Sequence, residues 1–117
     1  MVKAIQFVFL LILSSFSFAN SEQEISYLLD FVGKTECSYL RNGSSHNGKE
    51  ARSHIQKKYD YYHDDIKTAE DFIAYSATKS TMSGTKYTIQ CDGKKVQFSG
   101  EWLNTELKRY RAQLSEK

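Results

Sequence analysis

Three residues that could bind a metal ion are spaced four apart: His46, Glu50 and His54. On a helix that began as early as His46, this spacing would place all three on one face, where they could act as metal ligands. With Ala51 and Ile55 facing the core, however, Glu50 and His54 lie at the flank, where half-buried residues cap helices and form ion pairs. No HExxH motif is present. The sequence therefore favours the capping role, and we predict no metal and no cofactor.

A polar loop precedes the helix that carries these residues, and it contains Arg41, Asn42 and Gly43. An Asn-Gly pair favours a tight turn. Arg41 would either pin this turn to a carboxylate or a helix-end carbonyl, or meet an anionic ligand at the positive N-terminus of the helix. Of the two, we expect pinning. We group Lys58 with these three as structural or binding residues.

The hydroxyl-rich turn that includes Ser80 and Ser83 is the next candidate. A nucleophilic serine needs a base and an oxyanion hole, and the turn has no GxSxG elbow. Side-chain bonds to backbone amides explain both serines better. The adjacent acids Asp64 and Asp65 would point apart, which does not suit a glycosidase pair. We therefore predict no catalytic residues and no enzyme.

Tyr61 is the candidate contact residue. The core stripe of the second helix includes Tyr59 and Tyr62, so Tyr61 lies off it and should face solvent. Exposed tyrosines beside acidic residues make good anchors for protein contacts. The sequence thus predicts an interface at Tyr61, and we take another envelope protein as the partner.

Four helices follow from the spacing of apolar residues and from capping signals. Ser21 and Glu24 form a capping box for the first helix, and Asn47 begins the second. Thr68 caps the third, and the fourth begins at about Gly100. No internal repeat or linker divides the chain.

A β-hairpin follows from alternating residues around Asp92-Gly93, a pair typical of a type I′ turn. A two-residue turn predicts two pairs on the buried face: Ile89 with Val96, and Tyr87 with Phe98. The fold class is α+β, with about four helices around one antiparallel hairpin. The short segment near Cys37 is a candidate third strand.

The N-terminus has the pattern of a secretory signal peptide. Lys3 is followed by an apolar run over 4–13 and by small residues at 17–19, which predicts cleavage after Ala19. The apolar run is about half the length of a spanning helix, so we expect no stable membrane anchor after cleavage. We divide the chain into a signal peptide (1–19) and one globular domain (20–117), located in the periplasm or secreted.

The net charge of the chain is +2, and the loss of Lys3 with the signal peptide lowers it by one unit. Nucleic-acid binding requires a concentrated basic surface, so it is excluded as a function class. The two cysteines, Cys37 and Cys91, predict one disulfide in an oxidising compartment. It would close a loop of about 55 residues and contribute about 4 kcal/mol.

An ordered set of polar and apolar residues also resembles a known family. The set is Arg41-Asn42-Gly43, His46, Glu50-Ala51, His54, Lys58, Thr68-Ala69-Glu70, Phe72-Ile73, Ser80, Gly84 and Tyr87. Together they resemble the YfeK-like proteins, small secreted bacterial proteins with a domain of unknown function. The resemblance implies a bacterial, periplasmic protein and implies no activity, cofactor or disulfide.

Two kinds of function remain open at this point. The first is a non-enzymatic binding or interaction module; one form of it is an inhibitor or immunity protein for an envelope-targeting enzyme, which would insert the loop 41–48 into a cleft. The second is a small metal- or ligand-binding protein that uses His46, Glu50 and His54. The sequence specifies neither the partner nor the oligomeric state.

Overall fold

Four helices and a four-stranded antiparallel sheet form the part of the chain described by the structure, a computed structural model: residues 16–116, with side chains from residue 20. The helices are α1 (Phe16–Lys34), α2 (Gly48–Tyr61), α3 (Ala69–Ser76) and α4 (Ser99–Ser115), with a 3-10 turn at His63–Asp65. The strands are β1 (Ser38–Arg41), β2 (Ser44–His46), β3 (Thr88–Gln90) and β4 (Gln97–Phe98), ordered β2-β1-β3-β4. The predicted α+β class is confirmed, and the sheet has two strands beyond the predicted hairpin.

Helix α1 begins earlier than predicted. Ser21 lies inside it, so the proposed capping box is wrong. A serine is tolerated within a helix, and its amide already has a helical partner there. Most of the predicted signal peptide lies outside the described residues, and the predicted cleavage site, 17–19, falls in the first turn of α1. No described helix is both long enough and apolar enough to span a bilayer.

The polar segment 41–48, predicted to be a loop, contains a tight hairpin. Strands β1 and β2 pair from Tyr39↔His46 to Arg41↔Ser44. Asn42 and Gly43 connect them with φ angles of 52° and 79°. Two consecutive positive φ values are the signature of a type I′ turn, which matches the twist of the strands. The Asn-Gly pair therefore makes the turn, and the serines that follow it form a strand.

The β3–β4 hairpin is shifted by one residue from the predicted register. Ile89 pairs with Gln97, and Thr88 pairs with Phe98. Gly93 has a positive φ of 71° and Asp92 does not, so the turn is not type I′. One extra residue enters the loop, and a shift of one residue moves side chains to the other face of the sheet. Val96 and Phe98 are consequently exposed rather than buried.

Helices α2 and α3 begin where their capping signals predict. Asn47 and Glu50 form a reciprocal capping box at α2, and Thr68 and Asp71 form one at α3. Gly48 lets the start of α2 approach the end of α1, because a Cβ there would lie 2.6 Å from the Val32 carbonyl oxygen. These local signals fix the position of α2, which carries most of the candidate site residues.

The core lies between the helices and one face of the sheet. Its largest fully buried side chains are Tyr39, Tyr87, Phe72, Leu28, Ile55, Ile73, Ile89, Leu103 and Leu107. The predicted disulfide is present: Cys37, just before β1, is bonded to Cys91, just after β3. It links two adjacent strands at the end where Ser38 pairs with Gln90.

Acidic and basic side chains pair with each other where α1, α3 and α4 meet. Arg111 bonds both carboxylate oxygens of Glu24, at 2.7 and 2.9 Å, and also bonds Glu70 at 2.8 Å. Between α1 and α4, the Tyr27 hydroxyl and the Arg109 guanidinium both donate to Glu106. We call this surface the paired face, defined by Glu24, Tyr27, Glu70, Glu106, Arg109 and Arg111.

Candidate functional site

Most of the candidate residues lie along one groove between α2, the β1–β2 hairpin and the turn 80–84. The groove consists of two adjoining clefts of about 500 and 570 Å³ that share His54 and Lys57. We call it the basic groove. Its lining residues are Arg41, Asn42, His46, Lys49, Glu50, Ser53, His54, Lys57, Lys58, Tyr61, Tyr62, Ser80, Thr81, Met82 and Tyr87.

The hydroxyl of Tyr87 is a shared hydrogen-bond partner in the groove. It lies 3.1 Å from His54 Nε2 and 3.4 Å from Lys58 Nζ. Lys58 also donates to the Lys79 carbonyl oxygen at 2.7 Å. Because lysine can only donate, the Tyr87 oxygen accepts from Lys58 and its proton can be donated to a neutral His54. This chain of bonds holds Lys58 and His54 in fixed positions.

Arg41 does not make the pinning contact that the sequence predicts. Its Nε is buried and has no hydrogen-bond partner among the described residues, and Arg41 forms none of the ion pairs found there. Strand β1 ends at Arg41, and its positive charge lowers the pKa of His54 on α2 and opposes the rise in the pKa of Tyr87. The residue therefore supplies positive charge to the groove without a neutralising carboxylate.

The positive charges in the groove perturb the neighbouring titrating groups. Burial and, after it, the charges of Arg41 and Lys58 lower the pKa of His54 to about 4, so His54 is neutral at physiological pH. Burial also lowers the pKa of Lys58, again with a contribution from Arg41. Burial raises the pKa of Tyr87, which keeps its hydroxyl protonated. The groove therefore presents fixed cations beside neutral donors.

The turn 80–84 is fastened to the β1–β2 hairpin by its serines. Ser80 Oγ accepts from the Ser83 amide at 3.3 Å, and Ser83 Oγ accepts from the Thr85 amide at 3.2 Å. Ser83 also donates to the Asn42 side chain at 2.9 Å. Both serines make the bonds to backbone amides that the sequence predicts. Asn42 and Ser83 thus hold two turns together at the groove.

Ser76 and Ser83 each precede a lysine by three residues, which is the spacing of an S-x-x-K motif. Ser83 Oγ accepts from the Thr85 amide and donates to Asn42, and Ser76 Oγ is buried with no partner among the described residues. Neither serine bonds to its lysine, Lys79 or Lys86, in that part of the chain. The spacing therefore supplies no activated nucleophile.

Exposed apolar side chains flank the cations. Tyr61 is 81% exposed, as its position off the core stripe predicts, and Met82 is 97% exposed. Tyr62 stands edge-on to Tyr61 and bonds the Thr81 hydroxyl at 3.0 Å. These side chains place apolar area next to the basic charges, a combination common in contact surfaces.

The three candidate metal ligands do not share one position. His46 Nδ1 lies 3.7 Å from Glu50 Oε1, and the same oxygen accepts from the Asn47 amide. His54 turns instead to Tyr87. In residues 16–116, no group of three or more His, Cys, Asp or Glu side chains has a geometry that could hold a metal ion. Their observed contacts are a helix cap and a hydrogen-bond chain.

Comparison with known proteins places the whole groove within one family. A family profile, described as a family of unknown function (DUF5329), matches residues 19–111, which include every residue of the basic groove. The chain belongs to the DUF5329 family. The expected resemblance to YfeK-like proteins is confirmed as well. The chain is 36% identical over 70 residues to "Uncharacterized protein YfeK" of Salmonella typhimurium, strain LT2.

The match to YfeK covers 59% of this chain and 58% of the relative, so the alignment leaves part of both proteins unmatched. No solved structure matches the chain. For a DUF5329 protein, the chemistry of the groove therefore has to be argued from its own residues.

The sequence missed seven groove residues as site residues: Lys49, Ser53, Lys57, Tyr62, Thr81, Met82 and Tyr87. Tyr87 reads as a core residue and is indeed 2% exposed, yet its hydroxyl reaches the groove. Lys57 and Met82 have no local signal, because only the approach of α2 to the turn 80–84 brings them together.

Hydrogen-bond donors and positive charge dominate the chemistry that the DUF5329 groove offers. Arg41, Lys57 and Lys58 take part in no ion pair among the described residues. Glu50 is the one carboxylate in the lining, and it is engaged at the helix cap. Such an arrangement can bind an acidic group by charge-assisted hydrogen bonds.

Proposed function

We propose that this DUF5329 protein is an exported, non-enzymatic binding module and that the basic groove is its contact surface. The observation that carries the proposal is the convergence of Arg41, Lys57 and Lys58 on one groove without a neutralising carboxylate for any of them. A protein that places like charges together without pairing them loses stability by repulsion. A ligand or partner with an acidic group would remove that cost.

The hydrogen bonds that the polar side chains already make support binding better than catalysis. His54 shares its Nε2 with Tyr87, and Ser80 and Ser83 bond to backbone amides. A catalytic nucleophile needs an adjacent base. Since Ser83 donates its proton to an asparagine amide rather than to a base, the groove offers contacts instead of an activated nucleophile.

Export to the periplasm is part of the proposal. The pattern of residues 1–19 is that of a signal peptide, and a structural disulfide between Cys37 and Cys91 is typical of an oxidising compartment. A partner of the module would then be another component of the cell envelope. If that partner is an envelope-targeting enzyme, the module is the inhibitor or immunity form of the same function.

Photo-crosslinking in the host bacterium tests the proposal. A photoreactive phenylalanine analogue replaces Tyr61 or Met82 at the groove, and the matched control replaces Lys94, which is exposed in the turn at the far edge of the sheet. We expect a discrete adduct from the two groove positions and none from position 94. An absence of adducts at the groove, or equal adducts at all three positions, would contradict the proposal.

A further inference from the structure

The ligand chemistry of the basic groove can be specified further, on the assumption that the groove is the contact surface proposed above. We propose that Arg41, Lys58 and Tyr87 form a binding site for an oxyanion with two negative charges, of the phosphate or phosphomonoester class. Three observations support this assignment: the free donor capacity of Lys58, the Arg41 Nε without an acceptor, and the engagement of Glu50, the one carboxylate in the lining.

Lys58 is held in place and still has a proton to donate. Its ammonium group carries three N–H bonds, of which one goes to the Lys79 carbonyl oxygen at 2.7 Å and one to the Tyr87 hydroxyl at 3.4 Å. The remaining N–H has no acceptor among the described residues. An oxyanion in the groove would supply one without any rearrangement of the lysine.

Arg41 adds a permanent charge whose geometry suits the same ligand. A guanidinium presents a planar fork of donors that matches the oxygens of phosphate or carboxylate. The Arg41 side chain is half-buried at the end of β1, and the described residues give its Nε no acceptor. Because unpaired buried donors are costly, such a donor indicates that an acceptor completes the site.

The shortage of carboxylates in the groove indicates how many negative charges the ligand carries. Arg41, Lys49, Lys57 and Lys58 line the groove, and its one carboxylate, Glu50, accepts from the Asn47 amide at 3.0 Å and lies beside His46. One carboxylate ligand would leave most of this excess charge unbalanced. A doubly charged oxyanion balances two cations and has enough oxygens to accept from Arg41 and Lys58 together.

His54 offers a direct readout of occupancy. Its neighbours are Arg41 on β1, His46 on β2, Lys57 and Lys58 on α2, and Tyr87 before β3. Burial and these positive charges hold the pKa of His54 at about 4. A bound dianion would offset the charges, so occupancy of the site should raise the pKa of His54, and NMR of its ring protons measures this shift.

Calorimetric titration of the purified protein with inorganic phosphate tests the site. Glycerol 3-phosphate presents the same group on a carbon chain, and acetate, at equal ionic strength, presents one charge. We expect phosphate or glycerol 3-phosphate to bind at least about tenfold more tightly than acetate, with a rise in the pKa of His54. Tighter binding of glycerol 3-phosphate than of phosphate would place the phosphomonoester in the groove, and the reverse would place the free ion there.

Three variants locate the binding. Lys58→Met and Arg41→Met should each weaken phosphate binding by about tenfold, which corresponds to the loss of one charge-assisted hydrogen bond. Lys94→Met removes an exposed lysine outside the groove and should leave binding within about twofold. Circular dichroism establishes that each variant is folded, and Lys57→Met, which removes an exposed charge from the groove lining, replaces either of the first two that is not.

Several results would overturn the assignment: no binding of either phosphate, acetate binding as tightly as phosphate, or an equal loss in Lys94→Met. Adducts at Tyr61 and Met82 without phosphate binding would reject this site while leaving the proposed contact surface in place. The two proposals can therefore fail separately.

Discussion

The paired face and the basic groove use the same residue types in opposite ways. On the paired face, Arg111 bonds Glu24 and Glu70, and every charge has a partner of opposite sign. In the groove, Arg41 and Lys58 act on each other through like charge. The acids Glu24 and Glu106 of the paired face are buried, whereas the groove cations are half-buried or exposed.

The difference separates charges that serve the fold from charges that are available to a ligand. A buried carboxylate such as Glu24 is costly unless it is paired, and Arg111 supplies that pairing between α1 and α4. The groove cations have no such structural task beyond the bonds of Lys58 to Lys79 and Tyr87. Substitutions in the two regions should therefore have opposite profiles: loss of stability on the paired face and loss of binding in the groove.

The largest effect on stability is expected at Arg111. Arg111→Met leaves Glu24, whose side chain is 11% exposed, without its bidentate partner and also frees Glu70. We expect the free energy of unfolding in urea to fall by about 2–3 kcal/mol. Lys108→Met, an exposed lysine on the same helix, is the control and should change it by less than about 0.5 kcal/mol. Equal effects of the two variants would show that the pairing does not stabilise the fold.

A smaller loss is expected from Tyr27, whose hydroxyl donates to Glu106. Tyr27→Phe keeps the ring stacked on Tyr110, at 4.0 Å between centroids, and removes only the hydroxyl, which donates to Glu106 and accepts from Arg109. The expected cost is about 1 kcal/mol in the same urea measurement. Tyr110→Phe removes a hydroxyl that has no hydrogen bond within residues 16–116, so it should be neutral; a cost as large as that of Tyr27→Phe would contradict this account.

The basic groove and the paired face should each make stability depend on pH in a different pH range. The pKa of His54 falls from 6.5 when unfolded to about 4 when folded, so the unfolded chain binds the proton first and stability is lost as pH falls from about 6.5 towards 4. Bonds to Arg111 lower the pKa of Glu70 below 4.5, so its contribution is present above pH 4.5 and is lost below it. His54→Gln should flatten only the upper range and Glu70→Gln only the lower, as measured by thermal unfolding against pH.

Local signals predicted much of this fold. The capping residues Asn47 and Thr68 act on amides three residues away, so their sequence context was sufficient. The disulfide followed from two cysteines and the expected compartment. Ser21 shows the limit of such signals, because its capping pattern was overridden by helical backbone before it.

The two hairpins show a second limit. Asn42-Gly43 and Asp92-Gly93 look alike in sequence, and only the first forms a type I′ turn. The register of β3–β4 also depends on which side chains the core accepts: Ile89 is buried, and Phe98 packs under the Lys86 ammonium instead. The turn dipeptide alone therefore does not determine the register of the two strands.

The groove was predicted only in part. Arg41, His54 and Lys58 were recognised as polar candidates, but the convergence of His54 and Lys58 on Tyr87 depends on the pairing of β1 with β3 and on the packing of α2. The predicted pinning role of Arg41 failed because its guanidinium meets other cations and no carboxylate of the described chain. Tertiary proximity, rather than residue spacing, creates the excess of positive charge.

The most direct test of this account measures how phosphate changes stability in the native protein and in Lys58→Met. Without phosphate, the variant should lie within about 1 kcal/mol of the native protein, because the lost bonds are offset by relief of repulsion. Phosphate at ten times its dissociation constant should stabilise the native protein by about 1 kcal/mol more than the variant, whose tenfold weaker binding leaves it about 0.4 kcal/mol besides the general salting effect. Equal stabilisation of the two proteins would contradict the claim that the groove cations are held for a ligand.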